Sequence, residues 1–145
     1  MKRKILVFLF LFSFSGSYLA IAQGVDIDVK YIDKELNECI NEHPTTQGSA
    51  DCIVKATAEW DKILNKYYSL LKDVLSDEGK QILVDAQREW IKMRDKEFAL
   101  IDQVYHVETG GGTMYISTAL YAKMEIVQKR ALELQTYYDS ISMGY

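Results

Sequence analysis

The stretch "DCIVKATAEWDKILNKYYSLLKDVL", residues 51–75, carries apolar side chains at Ile53, Ala56, Trp60, Ile63, Leu64, Tyr67, Leu70, Leu71, Val74 and Leu75. Steps of three and four place them on one stripe of an α-helix, with lysines and acids on the opposite face. The pattern predicts a long amphipathic helix that follows the polar loop "NEHPTTQGSA", residues 41–50, with Ser49 or Asp51 as its N-cap. A helix with one apolar face is stable only when other elements cover that face.

The flanking sequence supplies them. Ser76, Asp77 and Glu78 resemble a fresh helix start, with carboxylates near the positive end of the dipole. The next segment, residues 78–105, puts Ile82, Leu83, Ala86, Trp90, Met93, Leu100, Ile101 and Val104 on a helical stripe. "ETGGGT", residues 108–113, ends it, because each glycine in a helix interior costs roughly 1 kcal/mol relative to alanine. From Thr113 onward, Met114, Ala119, Leu120, Met124, Val127, Ala131, Leu134, Tyr138 and Ile141 define a last helix. Upstream, Pro44 ends a short helix over "VDIDVKYIDKELNECI", residues 25–40, although Val25, Ile27, Val29 and Tyr31 alternate and also admit an extended start. The expected fold is all-α: an antiparallel bundle of three long helices plus a short N-terminal helix.

Lys2, Arg3 and Lys4 precede an apolar run, residues 5–14, broken only by Ser13, and Ala20-Ile21-Ala22 offers small residues for cleavage before Gln23. Residues 1–22 therefore read as a secretory signal peptide, since the run falls short of the ~20 residues a spanning helix needs. Cleavage leaves a single domain, residues 23–145, exported to the periplasm or secreted, without a membrane span and monomeric by default. The leader holds three of the 17 basic residues and no acid, so the mature chain carries 14 basic against 21 acidic residues, a formal charge of −7. That charge disfavours nucleic acid and anionic membranes and suits a basic partner. Cys39 and Cys52, the only cysteines, are expected to form a disulfide in an oxidising compartment, contributing roughly 3 kcal/mol. His43 and His106 are too few to complete a metal site, and no cofactor is expected.

"AQREWIKMRDKE", residues 86–97, is the densest cluster of charge in the chain. The mature sequence has no G-x-S-x-G elbow, "GGGTMY" lacks the Lys-Ser/Thr pair of a phosphate loop, and Gln103 stands where a Glu-x-x-His metal motif would need its acid. No carboxylate pair is distinguishable from a solvated helical face, so the chain reads as a binding protein rather than an enzyme. On a helix Gln87, Trp90, Arg94 and Glu97 share one stripe while Arg88, Lys92 and Asp95 lie around another, and Trp60, Asp61, Leu64 and Asn65 give the preceding helix a similar mix. The expectation is a structural polar seam between these two helices, Asp61 or Asn65 accepting from Gln87 or Arg94. A direct ligand contact is the competing reading.

Glu108, Gly110, Gly111, Gly112, Thr113 and Tyr115 form the candidate partner-binding patch, because glycines allow close backbone approach and an acidic, aromatic rim suits a basic protein. The same glycines would equally serve only to end one helix and start the next. Residues 41–48 are the second candidate. Tyr67, Tyr68, Tyr105, Tyr115, Tyr121, Tyr137 and Tyr138 fit either an interface or core-edge positions with a wet hydroxyl.

Cys52, "WDKILNKYYSLL" (residues 60–71), "AQREWIKMRD" (residues 86–95), Gly111-Gly112-Thr113, and Arg130 with "LEL" (residues 132–134) together resemble the LprI-like lysozyme-inhibitor N-terminal domain family of bacterial exported proteins. The likeness spans about residues 39–138. It implies a cell-envelope protein that binds and inhibits lysozyme, with another envelope protein or cell-wall glycan as the alternative partner. Animal-type lysozymes are basic, which matches the acidic charge. Many members carry a second cysteine pair; Phe98 and Ala122 or Tyr121 stand at those positions here, and an apolar contact is expected instead. The lipid-bearing cysteine of some relatives is also missing.

Overall fold

The computed structural model describes residues 19–144, with side chains from Lys30 onward. Among them run α1 (Leu19–Glu42), α2 (Thr46–Val74), α3 (Asp77–Asp102), a π-helical turn (Gln103–Glu108) and α4 (Thr113–Ser142). The leader expected over residues 1–22 lies outside the described residues, apart from the backbone of its last four at the head of α1. At 24 residues α1 is longer than the short helix expected.

The turn between α1 and α2 is only residues 43–45, so most of the loop expected over residues 41–50 is helix. Thr45, and neither Ser49 nor Asp51, caps α2: its side chain accepts from the Gly48 N–H at 3.0 Å. Gly48 reads as a loop residue, yet it sits in the first turn of α2 for a steric reason. A Cβ there would stand 2.7 Å from both the Cβ and the carbonyl oxygen of His43. That close approach folds α1 back tightly on α2 and brings Cys39 and Cys52 together, Cα to Cα 5.8 Å, in the expected disulfide. At the next junction Ser76 caps α3 as expected, accepting from the Gly79 N–H at 3.2 Å, with Asp77 and Glu78 in the first turn.

Helices consecutive in sequence run antiparallel. Cys39 meets Cys52 and Glu35 approaches Lys55 between α1 and α2; Gln87 meets Arg130 and Asp102 meets Lys123 between α3 and α4. It follows that α2 and α4 are parallel, and these two make the most extensive contact in the bundle. Ile53 shares a groove with Thr118 and Tyr121 at one end, and Tyr67 accepts a hydrogen bond from Gln135 at the other. Their shared face buries Trp60, Leu64 and Leu71 against Met124, Val127, Ala131 and Leu134, with Ile32 and Leu36 of α1 closing one side. Each large aliphatic side chain buried there contributes roughly 1.5–3 kcal/mol. By contrast α3 buries only Leu83 and Gln87.

Candidate partner-binding site

The polar seam joins α3 to α4, whereas the charge pattern suggested α2 to α3. Arg130 Nε donates to Gln87 Oε1 at 3.1 Å and Arg130 Nη1 donates to Glu133 Oε2 at 2.6 Å. The Arg130 guanidinium also lies 5.9 Å from the centre of the Trp90 ring, and that of Arg94 lies 5.4 Å from it. Arg94 is anchored by Asp95, through Nε at 3.0 Å and Nη2 at 2.7 Å. Lys123 binds both oxygens of Asp102, at 2.6 and 2.7 Å.

Gln87, Trp90, Arg94 and Asp95 are therefore neighbours, but Trp60, Asp61 and Asn65 are not part of the seam. Trp60 is a core residue with no exposed surface, and its indole N–H has no partner among the described residues. Asn65 donates to the carbonyl and carboxylate of Asp61 on the exposed side of α2, at 2.8 and 2.9 Å. The difference follows from packing: α2 spends its apolar face on α4 and α1, so α3 reaches the bundle through α4. Arg130 and Glu133 stood out in the sequence only among the residues that carry the family resemblance, without a place in the seam, and Lys123 did not stand out at all. The signal for Arg130 was an arginine one turn from Val127 and Leu134, on an otherwise apolar stripe.

Phe98 packs against the core between two cations, 5.7 Å from Arg94 and 5.5 Å from Lys123. Cation–π contacts thus accompany the packing of Phe98 against the core. Ala122 and Tyr121 line a groove with Ile53 and Tyr105. Within the seam, burial pushes the Glu133 carboxyl up. Hydrogen bonds from Arg130 and Tyr137 and the charges of Arg130 and Lys129 outweigh it, holding the group below its usual value. The same bond to Glu133 raises the Tyr137 hydroxyl. The contacts that cross between α3 and α4 are Lys123 to Asp102 and Phe98 and Arg130 to Gln87 and Trp90, and these set helix register, whereas the Arg94–Asp95 and Arg130–Glu133 pairs each stay within one helix.

The other candidate lies at the end of the bundle where α3 meets α4. The Thr109 N–H reaches back five residues to the Val104 carbonyl at 3.1 Å, the wide turn of a π-helix. Such turns are rare and often mark functional sites. Gly110 and Gly111 follow with φ of +79° and +68°, the left-handed region that only glycine enters cheaply. Glu108, Gly110, Gly111, Gly112 and Thr113 are exposed, and Tyr115 is half-buried with its ring 6.1 Å from that of Tyr105. The structure adds exposed Val107 and Met114, the latter 73 % accessible although its spacing placed it on the buried stripe of the last helix. Beside them a groove of about 460 Å³ is walled by Tyr105, Tyr121, Ile53 and Glu125. Residues 41–48, the second candidate, are largely absorbed into the ends of α1 and α2.

Against known families, the sequence model described as lysozyme inhibitor LprI matches residues 39–134. The chain belongs to that family. The match to the LprI family begins at the first cysteine of the disulfide and runs through α2, α3 and the glycine loop into the last turns of α4. It therefore includes both the seam and the loop end. The LprI family is described as one of inhibitors, not of catalysts. No curated protein and no solved structure matches the chain. Among the described residues no helix is long and apolar enough to cross a membrane.

Proposed function

We propose that this LprI-family protein is an exported inhibitor of lysozyme that docks through its glycine-loop end. The observation that carries the reading is the family match over residues 39–134. Glycosidases of this kind work through two carboxylates in a cleft, and a cleft is blocked by a projecting loop that offers close backbone approach. Gly110 and Gly111 provide such a loop, Val107, Met114 and Tyr115 offer apolar contact, and Glu108 and Glu125 supply negative charge beside it. The excess of acid over base in the whole chain would steer a basic enzyme towards it, most strongly at low salt.

A turbidity assay of lysozyme on bacterial cell walls, with and without the purified protein, is the test. Slower clearing that saturates with added protein is expected, and no slowing at large molar excess would sink the proposal. Gly111→Pro tests the docking surface separately: proline holds φ near −65°, whereas Gly111 sits at +68°. Inhibition should weaken while helix content is retained, and unchanged inhibition would remove the loop from the interface. Retention on cell-wall glycan or on another envelope protein without inhibition would favour a structural binding module instead.

A further inference from the structure

Helix α3 has a second apolar face that the molecule does not cover. Ile82, Ala86, Met93, Leu100, Val104 and Val107 recur at helical spacing along α3 and the π-turn, and all six are exposed. Of the 26 residues of α3 only Leu83 and Gln87 are buried, against eight in α2. Alongside this strip runs an open groove of about 410 Å³ between α3 and α4, with Met93 and Glu97 on one wall and Ile126 and Lys129 on the other. Tyr137 and Ile141, both exposed, continue the α4 wall one and two turns beyond Glu133.

Two quantities select the occupant. From Ile82 to Val107 the strip is roughly 35–40 Å long at 1.5 Å per residue, and two helices abreast are roughly 20 Å wide. The face therefore offers roughly 700–800 Å² per copy, close to the ~800 Å² per partner of a standard stable interface. The charges at the groove balance: Glu97 and Glu133 against Lys129 and Arg130. A balanced face has little to attract a strongly basic protein, but it meets an identical face without net repulsion. Glu97 and Lys129 line the groove from α3 and α4, and neither takes part in a close ion pair among the described residues, although the Lys129 charge acts on Glu133.

We infer that this face joins two copies of the chain, in place of the monomer expected by default. Helix α3 of one copy lies on α4 of the other about a two-fold axis running along the groove, so that each Glu97 pairs with the partner's Lys129. Such an interface is isologous and closes at two copies. The two glycine loops then emerge at the same end of the dimer, with Val107 at the edge shared by the strip and the loop.

Sedimentation equilibrium of the purified protein, without lysozyme, reads this directly. A concentration-dependent dimer is expected, and Met93→Glu or Leu100→Glu should weaken association about tenfold or more. Both side chains are half-exposed in the monomer, so far-UV circular dichroism should be unchanged. Glu97→Lys and Lys129→Glu should each weaken the dimer, and the double reversal should restore it. A protein monomeric at every soluble concentration, a dimer indifferent to Met93→Glu, or charge reversals without mutual rescue would each overturn the inference. A loss of lysozyme inhibition by Met93→Glu with self-association unchanged would also overturn it, assigning the strip to the enzyme. Because dimerisation is measured alone, its failure and that of the inhibitory reading are separable.

Discussion

The two long helices on either side of the glycine loop are built on opposite principles. α4 buries Ala119, Met124, Val127, Ala131 and Leu134 against its parallel neighbour α2, a mainly apolar contact that also buries the hydrogen bond from Gln135 to Tyr67. α3, of similar length, is attached largely through two cations of α4: Arg130 on Gln87 and Trp90, and Lys123 on Asp102 and Phe98. Apolar burial supplies most of the free energy of folding. Directional pairs supply less, but they position a helix along its axis. The α2–α4 pair is thus the load on which stability rests, and α3 is a strut whose orientation is set by polar contacts and whose outer side is left available.

That contrast can be broken most sharply at Trp60. Trp60→Ala should cost about 3–5 kcal/mol by chemical denaturation. Trp60→Phe should cost clearly less, because it keeps a ring and removes an indole N–H that is buried without a partner. A loss under about 1 kcal/mol for the alanine variant would mean that the α2–α4 face does not carry the fold.

Next in size is the disulfide. Replacing Cys39 and Cys52 together by serine should lower stability by about 3 kcal/mol through release of the closed loop, and it should free α1, whose other strong attachment is apolar contact with α2. Hydrogen exchange should then show α1 amides losing protection before those of α4. Equal loss in both helices would show that α1 is integral to the core and not a tethered addition.

Gln87→Ala addresses the strut. It leaves the Arg130 Nε–H without its acceptor in a largely buried place, at about 1–3 kcal/mol, and the opening should be local to α3. A uniform loss of protection across the bundle would erase the distinction between the two helices.

The smallest effect is the pH dependence of the Arg130–Glu133 pair. Glu133 is held below its ordinary value of 4.5, so its contribution is present above that value and is lost as pH falls through the folded-state value. Asp139 acts in the opposite sense: burial raises it above 3.8, Lys66 offsetting only part, so its contribution is present below 3.8 and is lost as pH rises through its folded value. Glu133→Gln should flatten the acid limb of a Tm–pH curve, and an unaltered limb would place the acid sensitivity elsewhere.

Much of this was legible in the chain. The Cys39–Cys52 bridge is the one the cysteine count implied, and the stripe through Trp60 and Leu71, the Ser76 start of α3 and the helix beginning at Thr113 are where spacing and turn chemistry put them. These are local properties: three- and four-residue periodicity and caps act within a turn or two of helix. The start of α2 was misplaced because Gly48 signals a loop by composition, while its role is to let the turn residue His43 approach the first turn of α2, a steric requirement that composition does not carry. The π-turn was not foreseen either, since one extra residue in a turn leaves no mark on the hydrophobic period. At the candidate site the glycines were evident, but their company was not: Tyr105, Tyr121 and Ile53 come from three different elements.

The sequence by itself determined that the chain is helical, where its main apolar stripes run, which cysteines pair and, through its ordered motifs, the family to which it belongs. Only the tertiary structure decided that α2 chooses α4 over its neighbour α3, and with that choice sent Arg130, in place of Asp61 or Asn65, to Gln87. Periodicity states that a helix has an apolar face, but any other apolar face satisfies it. Which face is chosen depends on volumes and charges meeting across tens of residues, and those quantities exist only once the helices are packed.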